Sequence, residues 1–486
     1  MPEYLVTVSG ELPLRSERTR PRFYRKLLEN IRDMAERNGA RVLESRLVEA
    51  KIWLVTDKDI LSHFSRVFGV HKAGVVITYR FSDLEDLAKW IFENARSLVE
   101  GKKFAVRVKR SGKHTFTSLD VARRVGELLK PYSSGVDLEN PEVTVEVEVR
   151  GSRAYLYTST MRGPGGLPVG VEGKALVLFS GGFDSPVAAW FTAKRGVEVD
   201  FLHYYMGSAL SSYYAFLVAK KLASEWLYGY RPRFMLVDFT DVILEITRKV
   251  EWSYRQVVLR SLMYVVAEKV AEKLGYPVIV TGESLGQSSS QTLKNLSAIE
   301  RAVNVKIPIL RPLLGLDKEE IIEYSRRIGL YEYSSKVFEA CAIAPTRVTT
   351  AARSEEIARY ISSLSGDIVE RATSSVKIYD VLSTSPEDVV FASSIELDFI
   401  PENAVVVDVR KDRSQKIPNS VSLSEVDLEK LRDKTLVLVC ETGSLSILMA
   451  KELRELGYKA FSLKGGVKTC LSAVSTEKST EETQEK

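Results

Sequence analysis

Six consecutive residues, Ser180-Gly-Gly-Phe-Asp-Ser185, combine two glycines with a carboxylate and two hydroxyls. They follow an apolar run from Ala175 to Phe179, which predicts a buried parallel strand. Pro186 comes next and suits the first turn of a helix, where its missing N–H costs nothing. Glycines let backbone N–H groups converge, and a helix N-terminus adds positive potential, so this strand–turn–helix is predicted to bind an anion.

The same six residues resemble the pyrophosphate loop (PP-loop) of ATP pyrophosphatases. That resemblance implies an enzyme that adenylates a carbonyl oxygen of its substrate and releases pyrophosphate. The GxxxxGK[ST] loop of kinases and GTPases occurs nowhere in the chain.

Cys440 is the second candidate for chemistry. It ends an apolar run that begins at Thr435 and is followed by Glu-Thr-Gly-Ser-Leu-Ser446. A thiol at a strand end that faces a helix N-terminus ionises readily and can carry sulfur. We do not expect this cysteine to be buried, because polar and small residues follow it. The next helix is predicted over 447–456, with three leucines facing inward: Leu448, Leu453 and Leu456.

With the strand predicted at Ala404–Arg410, the strand at Lys459–Leu463 and the turn Lys464–Val467, this pattern resembles a rhodanese-like domain. The loop of such a domain holds a persulfide sulfur with backbone N–H groups. Many of these loops carry an arginine near the position that Leu445 occupies here. The leucine leaves sulfur stabilisation to the backbone.

Composition and length describe an ordinary globular protein of three or four domains, with 486 residues, 45% hydrophobic and 27% charged. Three cysteines indicate a reducing compartment without a disulfide framework. No secretion signal opens the sequence, and no window of about 18 apolar residues exists, so we expect a cytoplasmic protein without a membrane partner. The net charge of +5 is mild, so any nucleic-acid site must come from local clustering.

Residues 1–60 predict a small α+β unit. A strand is predicted at Tyr4–Val8, a helix at Arg22–Asn38 and a β-hairpin over Arg41–Thr56. Basic side chains between the strand and the helix oppose the helix dipole, which favours a polyanionic partner. They are Arg15, Arg18, Arg20, Arg22, Arg25 and Lys26.

Residues 61–165 contain a second basic cluster. The strand predicted at Phe104–Arg110 alternates apolar and basic residues, so Arg107 and Lys109 share a face. A helix at Leu119–Lys130 and two further strands, within 136–150 and 154–158, follow it. This order resembles a THUMP domain, an RNA-binding module, and implies RNA contacts at Arg107, Lys109, Arg110 and Lys113.

Residues 172–345 alternate strands and helices, which predicts a doubly wound parallel sheet. Ligands of such sheets bind outside the carboxyl ends of the strands, beside the switch point. The strands are predicted at Ala175–Phe179, Val197–His203, Arg233–Val237 and Pro277–Thr281.

Four segments together resemble the tRNA sulfurtransferase, or tRNA 4-thiouridine synthetase, family: LFSGGFDSPVAAW, YRQVVLRSLMYVVAEKVAEKLG, VTGESLGQSSSQTLKNL and ILRPLLGLDKEEIIEYSRRIG. The resemblance implies ATP and Mg²⁺, with Asp184 and Lys318 as the charged residues of adenylation. It implies a nucleotide pocket of Leu178, Phe179, Ser180, Gly181, Gly182, Ser185, His203, Tyr204, Arg260, Gly282 and Gln291. No dedicated metal site is predicted.

The family resemblance also implies that a persulfide on Cys440, loaded by a cysteine desulfurase, delivers sulfur to a tRNA uridine. Cys341 would then close a disulfide with Cys440, which a thiol reductant reopens. Cys470 receives no role.

The fold class is therefore α/β and multidomain. We predict a ferredoxin-like domain at 1–60, a THUMP domain at 61–165, a PP-loop domain at 172–345, a bridging segment at 346–384, a rhodanese-like domain at 385–471 and a disordered tail at 472–486.

Three other interpretations follow from the same residues. An iron–sulfur enzyme is disfavoured, because the chain has no CxxC pair. A sulfur carrier for thiamine synthesis would need only the rhodanese-like domain. A non-catalytic tRNA-binding protein would not need the intact loop at 180–185.

Overall fold

A computed structural model describes residues 1–206, 209–337, 348–391, 395–410, 417–423, 426–441 and 444–467. The chain divides into two compact units. The N-terminal unit comprises residues 1–173, 192–198 and 224–230, and the C-terminal unit comprises 174–191, 199–223 and 231–486. In the described part of the chain, no helix is both long enough and apolar enough to cross a membrane.

The N-terminal unit is built from strands and three α-helices. The helices are α1 (Arg20–Arg37), α2 (Leu84–Val99) and α3 (Ser118–Leu129). The strands are β1 (Glu3–Val8), β2 (Val42–Val48), β3 (Lys51–Thr56), β4 (Val70–Arg80), β5 (Lys103–Ser111), β6 (Gly135–Val136), β7 (Val143–Arg150) and β8 (Arg153–Arg162).

These strands form one sheet in the order β2-β3-β1-β4-β8-β7-β5-β6. Three apolar clusters lie in this unit: one includes Leu27 and Ile31 of α1, one includes Ile91 of α2 and Val125 of α3, and one includes Trp53 of β3. Thr117 and Asp120 form a capping box that starts α3. The strands, the hairpin and both helices predicted from the sequence are present, with boundaries that shift by a few residues.

After β8 the chain enters a second sheet. Its strands are β9 (Lys174–Leu178), β10 (Glu198–Tyr205), β11 (Arg233–Asp238), β12 (Ile279–Val280), β13 (Ile309–Leu310) and β14 (Lys377–Asp380). The α-helices are α4 (Asp184–Lys194), α5 (Ala209–Trp226), α6 (Thr240–Lys249), α7 (Arg255–Leu274), α8 (Leu293–Val303), α9 (Lys318–Arg327), α10 (Tyr331–Ser334), α11 (Ser354–Ser363), α12 (Ile368–Ser374) and α13 (Pro386–Phe391).

The order of this sheet is β13-β12-β9-β10-β11-β14. β9 pairs in parallel with β12, and β10 with β11. Because the chain continues to opposite sides of β9, the carboxyl end of β9 is the switch point at which such sheets bind ligands. The predicted doubly wound parallel sheet is confirmed.

The segment predicted as a bridge, 346–384, contributes to this same domain over its described residues. β14 pairs antiparallel with β11 at the edge of the sheet. Ile357 of α11 and Ile368 of α12 lie in the apolar cluster that contains Val257 of α7. The segment therefore packs on the PP-loop sheet and its helices, although Ile378 of β14 is 45% exposed.

A third sheet has the order β15-β19-β18-β16-β17, and all its pairs are parallel. Its elements are β15 (Glu396–Leu397), β16 (Val405–Asp408), β17 (Ser420–Ser422), β18 (Thr435–Val439), α14 (Ser444–Glu455) and β19 (Lys459–Leu463). The inward position predicted for Leu456 is wrong. Leu456 is 65% exposed because α14 ends at Glu455 and the chain turns away at Gly457. Leu453 is buried as predicted.

Candidate functional site

The loop between β9 and α4 is closed by its own hydroxyl groups. Ser185 Oγ accepts hydrogen bonds from the backbone N–H of Ser180 at 3.0 Å and of Gly181 at 3.2 Å. Ser180 Oγ accepts from the N–H of Gly182 at 3.3 Å. The two serines of the predicted anion site therefore fix the turn rather than point away from it.

Two glycines allow the backbone to approach this turn closely. Gly181 has φ +83°, and a Cβ there would lie 2.6 Å from Ala215 Cα. A Cβ on Gly282, which follows β12, would lie 2.8 Å from Ser185 N. Neither position accepts a side chain without a shift of backbone. The two glycines follow β9 and β12, so these predicted pocket residues lie at the carboxyl ends of two paired strands.

The charged residues predicted for adenylation are in direct contact. Lys318 Nζ donates to Asp184 Oδ1 at 2.9 Å and to Oδ2 at 3.2 Å. Gln287 Nε2 donates to Asp184 Oδ2 at 3.0 Å. Asp184 is the first residue of α4, so its carboxylate and the lysine stand at the helix N-terminus that follows the loop.

Lys318 is held at this position by the start of its own helix. Asp317 and Glu320 form a capping box around the first turn of α9, which fixes where Lys318 leaves the backbone. Its ammonium also lies 5.6 Å from the centroid of the Phe183 ring. A lysine at a helix N-terminus opposes the helix dipole, so its place here is stabilised by Asp184 rather than by the helix.

A buried carboxylate, Glu283, organises the residues beside the loop. Glu283 Oε2 accepts from Arg311 Nε at 2.7 Å and from Thr281 Oγ1 at 3.0 Å, and Oε1 accepts from Tyr264 OH at 2.5 Å and from Arg260 Nη1. Burial raises the pKa of this carboxyl, but Arg260, Tyr264 and Arg311 outweigh it and hold the pKa below its ordinary value. Glu283 is therefore ionised between two arginines.

Arg260, a predicted nucleotide contact, donates through Nη2 to Ser290 Oγ at 3.2 Å. Gln291, another, accepts at Oε1 from Ser284 N at 3.2 Å. Both residues therefore brace the 281–291 segment that follows β12. Glu283 connects Arg260 to the strand end, because it also accepts from Thr281 Oγ1.

His203 joins β10 to its neighbours. Its Nδ1 lies 2.8 Å from the carbonyl oxygen of Phe179, and its Nε2 lies 3.1 Å from Ser212 Oγ. A carbonyl only accepts, so Nδ1 carries the proton and Nε2 accepts from the hydroxyl. Burial lowers the pKa of His203 to about 4, so the ring is neutral.

The other predicted pocket residues on β9 and β10 are also buried. Leu178 ends β9 and Phe179 follows it, while Tyr204 donates its hydroxyl to the carbonyl oxygen of Met263 at 2.5 Å. A nucleotide contact of His203 and Tyr204 through their side chains stays a prediction, because those side chains make protein contacts.

The loop fits a nucleotide triphosphate. The tight turn at Gly181, the following helix N-terminus and the Lys318 ammonium supply the donors and the positive potential that phosphates need. Among the described residues, no three or more His, Cys, Asp or Glu side chains group to hold a metal ion. A Mg²⁺ ion would therefore be held by Asp184 and phosphate oxygens, a common arrangement for this ion.

Cys440 follows β18, and its side chain is only 4% exposed, contrary to the prediction. The N–H of Ser446 lies 3.5 Å from Cys440 Sγ, and Ser446 Oγ lies 3.3 Å from it. Ser446 stands in the first turn of α14, so the thiol faces a helix N-terminus as predicted. A Cβ on Gly466 would lie 2.3 Å from Cys440 O, so the turn after β19 closes over the strand end. This packing covers the cysteine.

In the N-terminal unit, Arg107 and Lys109 are exposed on the same face of β5, as the alternation predicts. Arg110 Nη1 donates to Gly112 O and lies 2.8 Å from His114 Nδ1. Lys113 is exposed. Three of the four predicted RNA contacts are therefore accessible.

Four of the six N-terminal basic side chains contact other groups of the N-terminal unit. Arg22 Nη2 donates to Val171 O at 2.8 Å, Lys26 Nζ to Gly229 O at 2.9 Å, and Arg15 pairs with Glu172. Arg20 donates to Arg15 O. Part of the basic cluster therefore has partners within the protein, and a polyanionic partner for the cluster stays a prediction.

Cys341 and Cys470 lie outside the described residues. Three residues of the candidate site were not predicted from the sequence, although they lie within the four segments that resemble the sulfurtransferase family: Glu283, Gln287 and Arg311. Their polar types gave no sign of burial, because a lone Glu or Gln in a loop usually faces solvent.

Family models match three parts of the chain. The Thiamine biosynthesis protein (ThiI) family matches residues 170–365, the THUMP domain matches 79–159 and the rhodanese-like domain matches 396–473.

Curated proteins match nearly the whole chain. A tRNA sulfurtransferase of Desulfurococcus amylolyticus is 57% identical over 471 residues, 96% of this chain and 98% of that protein. One of Pyrobaculum aerophilum is 38% identical over 95% of this chain and 96% of its own length. A probable tRNA sulfurtransferase of Saccharolobus solfataricus is 43% identical and covers 75% of this chain and 96% of itself.

Solved structures also match this chain. A 4-thiouridine synthetase–RNA complex with bound ATP matches with a TM-score of 0.67 and 28% identity, over 78% of this chain and 99% of that chain. PH1313 from Pyrococcus horikoshii matches in fold with a TM-score of 0.51 and 22% identity, over 68% of this chain and 100% of its own.

Proposed function

The chain belongs to the tRNA sulfurtransferase family, and from that premise we propose that it uses ATP to convert a tRNA uridine to 4-thiouridine. It is an enzyme that transfers sulfur to tRNA, with ATP as its second substrate. The observation that carries the proposal is the Asp184–Lys318 contact at the closed PP-loop.

In the first step, the uridine O4 attacks the α-phosphorus of ATP, pyrophosphate leaves, and the uracil ring loses its N3 proton to solvent. The turn at 180–185 and the start of α4 would bind the phosphates that depart. Lys318 would stabilise the negative charge that develops on them, since an ammonium in this place is worth most in the transition state. Asp184 would position the lysine and, with the phosphates, Mg²⁺.

In the second step, the terminal sulfur of a Cys440 persulfide attacks C4 of the adenylated uridine, and AMP leaves. The thiolate of Cys341 then attacks Cys440 Sγ, which frees the thiolated base and forms a disulfide. A thiol reductant reduces that disulfide. A cysteine desulfurase supplies the persulfide sulfur, and the Ser446 N–H beside Cys440 Sγ supports this role.

The tRNA would be held in part by the N-terminal unit. Arg107, Lys109 and Lys113 are exposed there, Arg110 lies beside them, and ammonium and guanidinium groups bind phosphates without reading sequence. In the family the modified uridine is position 8. The proposed division of labour is one RNA-binding unit and one catalytic unit.

The experiment is a mass analysis of nucleosides from tRNA incubated with the protein, Mg²⁺–ATP, cysteine and a cysteine desulfurase. Wild type is compared with Cys440→Ser and Asp184→Ala, and with Cys470→Ala as the matched cysteine control. We expect 4-thiouridine with wild type and with Cys470→Ala, and none with the other two. Undiminished 4-thiouridine in Asp184→Ala would overturn the role of the loop.

A sulfur carrier for thiamine synthesis is the second candidate, favoured by the description of the family that matches residues 170–365. This function needs Cys440 but not adenylation. A protein in which Cys440 accepts sulfur, while no base of tRNA is thiolated, fits the carrier and excludes the sulfurtransferase.

A further inference from the structure

Gln287 lies beside the adenylation pair with one end of its amide committed. Its Nε2 donates to Asp184 Oδ2 at 3.0 Å. A carboxylate only accepts hydrogen bonds, so this contact fixes which end of the amide is the nitrogen. The other end, Oε1, is an acceptor. It is buried and has no hydrogen-bond partner among the residues that the structure describes.

Such an oxygen is uncommon in a folded protein, where buried polar atoms almost always have a partner. Its position makes a ligand the natural partner. The two ends of an amide are separated by less than the sum of two bond lengths, so Oε1 lies at most about 5 Å from Asp184 Oδ2. The donor that it lacks therefore belongs at the reaction centre.

We propose that Gln287 Oε1 accepts the N3–H of the uracil ring that is to be modified, and so selects uracil. This inference rests on the proposed function. Uracil presents an acceptor, O4, next to a donor, N3–H. Lys318 Nζ has three protons and Gln287 Oε1 is an acceptor, so the protein presents the complementary donor and acceptor. Cytosine has an amino donor at C4 and an acceptor at N3, and both contacts would be mismatched.

The nucleotide is the other possible source of a donor, because the predicted nucleotide pocket includes Gly282 and Gln291 of the same segment. Other residues of that predicted pocket lie on β9 and β10, among them Leu178 and Tyr204. Gln287 follows β12, which lies on the other side of β9 in the sheet. The reacting end of ATP is made of phosphate oxygens, which only accept hydrogen bonds.

The same loop also offers an apolar surface. The N–H of Leu285 donates to Leu314 O at 3.1 Å and so joins this segment to the loop between β13 and α9. Leu285 is 46% exposed and Leu314 is 42% exposed. Exposed leucine side chains suit the flat face of a pyrimidine ring. The 281–291 segment therefore combines a polar edge contact with an apolar contact.

The test combines one substitution with one modified base. Wild type and Gln287→Ala are compared on tRNA that carries either uridine or N3-methyluridine at the target position. The measured quantity is the dissociation constant of each tRNA in the presence of an ATP analogue that cannot release pyrophosphate, because adenylation removes the N3 proton and N3-methyluridine cannot react in either protein. Thiolation of the unmodified tRNA is followed separately, and ATP affinity is measured by calorimetry. Gln287→Met, which keeps the volume, serves as a second variant if Gln287→Ala has a lowered unfolding midpoint.

We expect N3-methylation to weaken binding of the tRNA to wild type at least tenfold. Gln287→Ala should thiolate unmodified tRNA at least tenfold more slowly than wild type. It should bind the two tRNAs alike within threefold and bind ATP as wild type does.

The proposal is overturned if N3-methylation has no effect on wild type. It is also overturned if Gln287→Ala loses tenfold in ATP affinity but stays as sensitive to N3-methylation as wild type. If wild type forms no 4-thiouridine on unmodified tRNA, the proposed function fails first and the proposal fails with it. The unmodified substrate thus separates the two failures.

Discussion

Lys318 and Asp184 are 134 residues apart in the chain, yet the ammonium of one donates to both oxygens of the other, at 2.9 and 3.2 Å. Each is the first residue of its helix, α9 and α4 respectively. Both side chains are partly exposed, and ion pairs of this kind contribute about 0–1 kcal/mol to stability. We therefore expect the contact to matter for adenylation more than for folding.

This separation of chemistry from stability can be measured with Lys318→Met. We expect the rate of pyrophosphate release in the presence of tRNA to fall by about 10²–10³, the loss typical when a transition-state donor is removed. The free energy of unfolding should change by less than about 1 kcal/mol.

The matched control is Lys294→Met, which removes an exposed lysine from the first turn of α8. It should keep the wild-type rate. Equal rate losses in the two variants would mean that Lys318 acts through general electrostatics.

Gly181 and Gly173 provide a matched pair of glycines. Both have positive φ, +83° and +89°, but a Cβ on Gly181 would lie 2.6 Å from Ala215 Cα, while a Cβ on Gly173 meets nothing within 4 Å. Gly173→Ala should cost only the backbone strain, about 1 kcal/mol, and keep ATP affinity. Gly181→Ala must move backbone at the PP-loop and should weaken ATP binding at least tenfold by calorimetry. Equal ATP affinities in the two variants would contradict this.

The sequence predicts strands, helices and loops well wherever the pattern is local. The PP-loop follows from a strand, two glycines and Pro186, and the THUMP strand β5 follows from its alternation. The doubly wound sheet follows from alternating elements, but membership of β14 does not, because four residues at a sheet edge carry too weak a pattern.

The candidate site is predictable only in part, for a physical reason. Glu283 is polar, and its burial depends on Arg260 and Arg311, which come from two other parts of the chain. Burial of Cys440 depends likewise on other parts of the chain, because the cysteine lies in an apolar cluster with Val407 of β16 and Leu453 of α14. Local spacing shows which groups are present, whereas long-range contacts decide which of them are exposed.

Glu283→Gln tests the buried cluster. It leaves Arg260 and Arg311 without their shared carboxylate, and loss of one partner of a buried ion pair costs about 3–5 kcal/mol. We expect a fall of that size in the free energy of unfolding, measured with denaturant. Glu300→Gln is the control, because Glu300 also pairs with Arg311, at 2.6 Å, but is half exposed. It should change stability by less than about 1 kcal/mol.

His203 predicts a pH dependence. Its folded pKa is about 4 and its ordinary value is 6.5, so between these values the unfolded chain binds more protons than the folded chain. Stability should therefore fall as the pH falls from 6.5 to 4, by an amount on the order of 3 kcal/mol for this group alone. His203→Asn keeps a donor for Phe179 O and cannot titrate. Its unfolding free energy should decline less over the same interval, and an identical decline would show that His203 does not contribute.

Ser446 is expected to assist the sulfur transfer of Cys440. Its Oγ lies 3.3 Å from Cys440 Sγ and 2.8 Å from Ser462 Oγ, and its N–H points to the sulfur at 3.5 Å. Ser446→Ala keeps the N–H and removes the hydroxyl, so the sulfur of Cys440 loses its contact with Ser446 Oγ. We expect formation of 4-thiouridine to slow by about tenfold, as for loss of a hydrogen bond to a charged group.

Adenylation separates this effect of Ser446 from a general loss of activity. The rate of adenylation, measured as pyrophosphate release, should be the same in Ser446→Ala as in wild type. The reason is that Ser446 lies in the domain of the third sheet and not at the PP-loop. Ser420→Ala, at a hydroxyl bonded to Ile417 O in that same domain, is the control and should leave both rates unchanged. A Ser446→Ala variant that loads and delivers sulfur at the wild-type rate would leave the backbone as the sole stabiliser of the persulfide.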